Sequence, residues 1–137
     1  MVDRHLIEQR LGSIRDRIAR IEARLPADKS TFLVDRDAQE TVAFNLFLAF
    51  QDSLDVAARL IADGKWPVPT TAREHFEILM RNGVLTAPVS EEMASCAGLR
   101  NLIAHAYGSL DLGRLYEELP AGVDALRHYC VEIERQA

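Results

Sequence analysis

Apolar residues at the start of the chain recur at helical spacing. Successive positions are three or four residues apart and form a single stripe: Ile7, Leu11, Ile14, Ile18, Ile21 and Leu25. Such spacing places the side chains on one face of an α-helix, with charged residues on the other faces. Pro26 should end this helix, because proline cannot continue the backbone hydrogen bonding. We expect the stripe to pack against other helices or against a second copy of the chain.

The second predicted helix is the longest and the most apolar. It runs from about Asp35 to Asp63 and is apolar on nearly every face around residues 42–50. It should therefore be the central helix, closed by Gly64. Two prolines in the following KWPVPTT stretch predict a loop from which Trp66 packs back on the core.

Three further helical segments follow. A short helix should start at a capping box formed by Thr71 and Glu74 and stop at an Asn-Gly pair at 82–83. Another is predicted from about Ser90 to Tyr107, with a glycine cap at 108. The last runs from about residue 122 to the end, after a short helical turn near 112–119. Its expected inner face consists of Val123, Leu126, Cys130, and Ile133 or Val131.

No segment alternates between apolar and polar residues in the manner of a half-buried strand. The sequence therefore predicts an all-α fold, an up-down bundle of about five helices. Repeats, low-complexity tracts and long linkers are absent, so we expect one domain over residues 1–137.

Composition agrees with a globular protein. The 137 residues are 48% hydrophobic and 27% charged, enough for a core without disulfides or metals. The chain shows no secretory signal pattern and no apolar run long enough to span a bilayer, so we expect a cytoplasmic protein without a membrane. Cys96 and Cys130 have unrelated positions and should be small buried apolar residues in a reducing compartment.

Charge is unevenly distributed. The net charge of -5 argues against sequence-independent coating of nucleic acid, although a small local site remains compatible with it. Arginine is concentrated in the first 25 residues, and these side chains form either a solvated face paired with Glu8, Asp16 and Glu22 or a surface for RNA or an acidic partner. They are Arg4, Arg10, Arg15, Arg17, Arg20 and Arg24.

The segment GLRNLIAHAYGSLD, residues 98–111, carries the candidate chemistry. On a helix, Arg100 and Tyr107 share one stripe, Asn101 and His105 share a neighbouring one, and aliphatic residues cover the rest. The long arginine side chain could meet the imidazole at a common point that holds a phosphate. A fixed cation and a proton-exchanging ring suffice for cleaving RNA through its own 2′-hydroxyl without a metal.

That reaction needs two proton transfers, and one histidine supplies only one of them. A two-fold dimer would bring a second copy of the same segment to the site. Spacing alone, however, favours a structural explanation, with Arg100 anchoring helix ends and His105 satisfied in the core. Tyr107 could equally serve packing or RNA stacking. Asn101 could orient His105, touch phosphate or cap the helix.

The order of elements and this motif resemble a known family. Arg100, Asn101, His105 and Tyr107 in this spacing, within the stretches AFNLFLAFQDSLDVAARLIAD, PTTAREHFEILMRNGVL and YGSLDLGRLY, resemble HEPN-domain ribonucleases. In particular, the sequence resembles the HepT toxins, which act with a minimal nucleotidyltransferase antitoxin. The likeness runs over the whole chain.

The resemblance implies a metal-independent endoribonuclease toxin that cuts RNA as a homodimer. Arg100 and His105 would be its catalytic pair, with Asn101 in support. Tyr107 would receive AMP from ATP, transferred by the antitoxin, and the added anionic group would occupy the arginine and exclude RNA.

Two other functions remain open from the residues. The chain could be a non-catalytic HEPN-like module that binds a nucleotide or docks a nucleotidyltransferase, or a purely structural dimerisation bundle. His5, His75 and His128 lack partners at the spacing of a helical metal site, so we predict no metal and no cofactor. No nucleophile motif surrounds Ser95, Cys96 or Ser109.

Overall fold

The computed structural model describes residues 3–105 and 110–136. Six α-helices make up this part of the chain, and it contains no β-strand. The predicted all-α class is thereby confirmed. The helices are α1 (Arg4–Arg24), α2 (Lys29–Phe32), α3 (Arg36–Gly64), α4 (Ala72–Arg81), α5 (Ala87–Ala104) and α6 (Leu112–Glu134).

Short polar side chains begin most of the helices. The carboxylates of Asp3, Asp35 and Asp111 each accept a hydrogen bond from a backbone N–H three residues later. At the start of α4 the hydroxyl of Thr71 accepts from the Glu74 N–H, as the capping box requires. The Glu74 carboxylate bonds the N–H of residue 70 instead of that of Thr71, so the return bond falls one residue early.

The core forms around α3, which contacts each of the other helices. The predicted stripe of α1 is buried from Ile7 to Ile21 and packs along α3. At the centre, the Phe76 ring makes edge contacts with Phe50 and Tyr129, each at a centroid distance of 5.7 Å. Burying rings of this size is a major source of stability, since apolar burial contributes about 25 cal/mol per Å².

The directions of the central helices determine what lies near the candidate motif. Gly122 of α6 packs against Leu99 of α5 and Leu46 of α3, and Tyr129, further along α6, donates a 2.8 Å hydrogen bond to the Ser53 carbonyl. Thus α6 runs parallel to α3. His128 of α6 contacts Glu92 of α5, whereas the earlier Gly122 lies beside the later Leu99. Therefore α5 runs antiparallel to α6 and to α3. The end of α5 therefore points toward the first half of α3.

The last helix differs from the prediction of a short turn followed by a helix from residue 122. Instead α6 is continuous and includes Pro120. Proline inside a helix costs about 3 kcal/mol because a hydrogen bond is lost. Here Leu115 and Leu119 before the proline and Val123 and Leu126 after it are all buried, so packing along both halves offsets that loss. Of the two alternatives for the inner face, Ile133 is buried and residue 131 is exposed.

The motif helix also differs in its bounds. We predicted a helix from about Ser90 to Tyr107, whereas α5 spans Ala87–Ala104. It begins earlier because Pro88 lies in the first turn, where the missing N–H is not needed. The predicted glycine cap lies outside the described residues. The four-residue helix α2 was not predicted from the apolar pattern.

Several expectations about single side chains are confirmed. Trp66 packs against the core after α3 ends at Gly64, and both Cys96 and Cys130 are buried free thiols. Within the described ranges, none of the helices is long and apolar enough to cross a bilayer.

The arginines of α1 pair mostly with other helices, in contrast to the predicted pairing within its own face. Arg20 bonds Asp16 as expected, but Arg15 pairs with α6, and Arg10 and Arg17 reach α3. Arg24 forms an ion pair with Asp35 at the start of α3, and Glu22 forms one with Arg127 of α6. These pairs tie α1 to the bundle, which weakens the case for a free basic surface.

Candidate active site at the end of the fifth helix

Arg100 lies on the side of α5 that faces α3. One of its Nη atoms donates a 2.8 Å hydrogen bond to the Gln51 side-chain oxygen. The centre of the guanidinium is 5.3 Å from the Phe50 ring centroid and 6.0 Å from the Phe47 ring centroid. A guanidinium at this distance over aromatic faces is attracted by their electron density. The cation is therefore held in a defined position.

Among the described residues, only part of the Arg100 guanidinium has a hydrogen-bond partner. The Nε atom of Arg100 is buried and makes no hydrogen bond to the described residues. A guanidinium carries five N–H donors, and Gln51 takes one of them. Arg100 is half-buried, so the remaining terminal N–H groups of its planar guanidinium can donate to the oxygens of a phosphate.

His105 lies at the C-cap of α5, just beyond the last helical residue. Its backbone N–H donates a 3.0 Å hydrogen bond to the Asn101 carbonyl, and its φ of -108° and ψ of 6° leave the helical region. The side chain is exposed, as is that of Asn101. An exposed ring at a helix end can reach a bound ligand.

The structure places three of the four predicted site residues at one end of α5. Arg100 and His105 are separated by about 7.5 Å of helix axis, and among the described residues no hydrogen bond joins them. Arg100 and Asn101 lie within α5, so their predicted helical positions apply. His105 lies one residue beyond the end of α5, so its predicted place on a helical stripe does not. Tyr107 lies outside the described residues. The burial expected for a structural core histidine is not found, since His105 is exposed.

Cys96, one turn before Arg100, is not a nucleophile. Burial raises the pKa of its thiol to about 12, although the nearby Arg100 charge acts in the opposite direction. The pKa of Cys130 is raised by burial to about 11. Thiols of such high pKa are protonated near neutral pH and unreactive.

A groove of about 320 Å³ lies between α5 and α6. Its floor contains Cys96, Leu99 and Gly122, and carboxylates surround it: Glu92, Glu118 and Asp124. Negative side chains repel a phosphate. This groove is therefore a poor RNA site, and the candidate chemistry stays with Arg100 and His105.

The other histidines serve local structure. A ring nitrogen of His75 lies 2.7 Å from the Thr71 carbonyl oxygen. His128 contacts the Glu92 carboxylate at 2.8 Å, and this hydrogen bond raises the pKa of His128. In the part of the chain that the structure describes, no three His, Cys, Asp or Glu side chains are grouped to hold a metal ion.

Sequence reasoning missed the residues that hold Arg100. Gln51, Phe47 and Phe50 belong to the central helix, about 50 positions earlier. Their helical spacing is visible in the sequence, but that spacing is equally typical of any core helix. Only the antiparallel packing of α5 on α3 brings them to the motif.

An all-α bundle with an arginine and an exposed histidine at the end of one helix is the arrangement expected of a HEPN-type ribonuclease. Residues 14–133 match the family model described as ribonuclease HepT-like. The chain therefore belongs to the HepT-like ribonuclease family, and the prediction of a HepT-type ribonuclease toxin is confirmed.

Individual relatives agree with this assignment. The chain is 29% identical over 107 residues to the mRNA nuclease HepT of Shewanella oneidensis, covering 78% of this chain and 80% of that protein. Its fold is similar to that of a tri-AMPylated HEPN toxin of Shewanella oneidensis solved in complex with MNT antitoxin. There the TM-score is 0.86 at 25% identity, over 98% of this chain and 99% of the other.

One more solved structure shares the fold at lower identity. YutE from Bacillus subtilis, a cytosolic protein of unknown function, superposes with a TM-score of 0.84 at 21% identity, over 98% of this chain and 90% of the other. At this identity the likeness establishes the fold alone.

Proposed function

We propose that this chain is a metal-independent endoribonuclease in which Arg100 and His105 act on one phosphodiester of RNA. The observation that carries the proposal is the placement of Arg100. Its guanidinium is held by Gln51 and two aromatic rings while an exposed histidine follows at the end of the same helix. Asn101 is exposed on the same last turn and supports His105 through its backbone.

The reaction divides into two proton transfers around a charged phosphorus. One imidazole takes the proton of the 2′-hydroxyl, the 2′-oxygen bonds to phosphorus, and the bond from phosphorus to the 5′-oxygen breaks. The leaving 5′-oxygen receives a proton, so the products are a 2′,3′-cyclic phosphate and a 5′-hydroxyl. Arg100 stabilises the extra negative charge in the transition state. No step requires a metal ion.

The second proton donor comes from a second copy of the chain in this proposal. His105 is one exposed ring, and the reaction needs a base and an acid on opposite sides of the phosphorus. A two-fold homodimer that joins the ends of two α5 helices supplies both from the same residue. A monomer would retain only half of the proton-transfer machinery.

The test is the chemistry of the products. The purified protein should cut single-stranded RNA in excess EDTA and leave 2′,3′-cyclic phosphate ends, identified by mass spectrometry of a short oligonucleotide. An oligonucleotide with a 2′-deoxy sugar at the cut position should remain intact. Cleavage that needs a divalent metal, or that proceeds on the 2′-deoxy substrate, would contradict the proposed mechanism.

We also propose that a nucleotidyltransferase antitoxin controls the enzyme by transferring AMP from ATP to Tyr107. The support is the family, together with the tri-AMPylated toxin complex of Shewanella oneidensis. Incubation with that class of antitoxin and ATP should add AMP to the wild type and abolish cutting. Tyr107→Phe should not be modified at this position. The control is Tyr116, whose hydroxyl donates a hydrogen bond to the Pro26 carbonyl; Tyr116→Phe should be modified and inhibited like the wild type.

The alternative is a non-catalytic HEPN-like module that docks a nucleotidyltransferase. Expression without a partner separates the two functions. The enzyme should arrest growth, and Arg100→Ala or His105→Ala should relieve the arrest, whereas a docking module should be harmless in every form. We place either activity in the cytoplasm, because both buried cysteines are free thiols, as is usual in a reducing compartment.

A further inference from the structure

Phe44 is a large aromatic side chain left exposed on the longest helix. Its exposed fraction is 60%, whereas the neighbouring Phe50 is fully buried. In the described part of the chain the other exposed large hydrophobic residues are all aliphatic: Leu33, Val34, Val68 and Val131. A ring in water on a regular helix offers a flat face to a ligand.

Phe44 belongs to the same face of α3 that holds Arg100. Seven residues separate it from Gln51, so the two lie within about 20° on one stripe of the helix. Phe47, one turn away, lies under the Arg100 guanidinium. Since α5 runs antiparallel to α3, the chain beyond Arg100 advances toward Phe44. His105 and Phe44 therefore lie at the same end of this helix pair.

The ring has polar neighbours along its stripe. Glu40, one turn earlier, is exposed and bound to Arg36, and Gln51 is also exposed. The core of a subunit interface is depleted in charged groups, so a lone aromatic with such neighbours is a poor interface core. A nucleobase needs only one flat apolar face of this size, with polar groups around it.

We propose that Phe44 is the stacking platform for an unpaired RNA base next to the phosphate bound by Arg100. This inference rests on the proposed function. Stacking on an aromatic side chain requires a base that is free of its own stack, so the preferred substrate is single-stranded. Phe44 acts by positioning the RNA and takes no part in proton transfer.

The first experiment measures binding without cleavage. The probe is a short single-stranded RNA with 2′-O-methyl sugars at all positions, which lacks the attacking hydroxyl. Phe44→Trp should lose fluorescence on titration with this probe, beyond any change that the wild type shows through Trp66. Phe44→Ala should raise the Kd about tenfold, and the aromatic variant should restore it. Val68→Ala, which removes another exposed apolar side chain, should bind as wild type.

The second experiment is kinetic. Phe44→Ala should raise KM about tenfold with little change in kcat, and Phe44→Trp should restore KM. Unchanged Kd and KM in Phe44→Ala, or no quenching in Phe44→Trp, would overturn the proposal. A dimeric wild type together with a monomeric Phe44→Ala in sedimentation analysis would also overturn the proposal, because it would show that the Phe44 ring packs against a second copy of the chain.

Failure of the enzyme assignment gives a different result. If the wild type does not cut RNA, the quenching titration still decides whether a base stacks on residue 44. Saturable quenching would support the stacking platform in a protein that binds RNA without cutting it. Absence of quenching would overturn it.

Discussion

Gln51 and Arg100 are joined by a 2.8 Å hydrogen bond between the central helix and the motif helix. This contact holds the guanidinium in position, and within residues 3–105 and 110–136 its other N–H groups make no hydrogen bond. Gln51→Ala should therefore lower kcat/KM by about tenfold or less, since one hydrogen bond contributes about 0.5 to 1.5 kcal/mol. Steady-state cleavage of a defined oligonucleotide measures the loss. Gln9→Ala, on an exposed face of α1, should have no effect, and equal losses in both variants would contradict this role.

Asp52 joins α1 to α3 in a partly buried network. It accepts a 2.7 Å hydrogen bond from the Ser13 hydroxyl and lies 3.6 Å from an Nη atom of Arg10 and 3.8 Å from the Nε of Arg17. Asp52→Ala should lower the free energy of unfolding by about 1 to 3 kcal/mol, because it leaves the Ser13 hydroxyl without its acceptor and removes the carboxylate that lies beside Arg10 and Arg17. Chemical denaturation measures the change.

The control for Asp52 is a surface pair. Asp16 bonds Arg20 within α1, and both side chains are more than 60% exposed. Asp16→Ala should cost about 0.5 kcal/mol or less. If Asp16→Ala lowers the free energy of unfolding as much as Asp52→Ala does, the Asp52 network stabilises the packing of α1 on α3 no more than a surface ion pair would.

Two helical glycines should respond to alanine with opposite signs. A Cβ at Gly64 would lie 2.4 Å from a carbon of the Trp66 ring, so Gly64→Ala must displace the indole. A Cβ at Gly12 meets nothing within 4 Å. Gly12→Ala should thus raise stability by about 0.5 to 1 kcal/mol. Gly64→Ala should lower the melting temperature and shift the Trp66 fluorescence, and a stabilised Gly64→Ala would contradict the packing.

The His128 and Glu92 pair gives a pH dependence of known sign. The hydrogen bond to Glu92 raises the pKa of His128 in the folded state, which favours the protonated ring. Its stabilising contribution is complete below the ordinary pKa of about 6.5 and is lost as pH rises through the raised value. His128→Gln should therefore lower the melting temperature at about pH 5 more than at about pH 9.

A histidine elsewhere provides the comparison for that measurement. His5 is exposed in the first turn of α1, and His5→Gln should change the melting temperature little at either pH. The side chains of His128 and Glu92 are both exposed, so the effect should be small and weaken with salt. A larger loss at high pH than at low pH would reverse the predicted sign.

The fold was predictable where local patterns and packing agree. The stripe from Ile7 to Ile21 is buried as its spacing indicates, and the Thr71 cap starts α4. The predicted division into a short turn and a helix from residue 122 was wrong, because α6 continues through Pro120 and buries leucines on both sides of it. Prediction also failed for the α1 arginines, because their partners belong to helices that are distant in sequence.

The candidate site was predictable only in part. The motif residues Arg100, Asn101 and His105 are close in sequence, so helical geometry and family resemblance found them. The end of α5 before His105 was not foreseen, since the apolar pattern continues through Ile103. Gln51 and the aromatic rings beneath Arg100 come from another helix, and no local spacing identifies such contacts.

Cleavage rates of matched variants test the central claim most directly. Single-turnover cutting of one oligonucleotide in EDTA should be abolished in Arg100→Ala and in His105→Ala, with the helical circular dichroism and melting temperature close to wild type. Arg36→Ala and His5→Ala, which remove exposed residues of the same types elsewhere, should cut at the wild-type rate. Wild-type cutting by either Arg100→Ala or His105→Ala would contradict the claim that these two side chains carry the reaction.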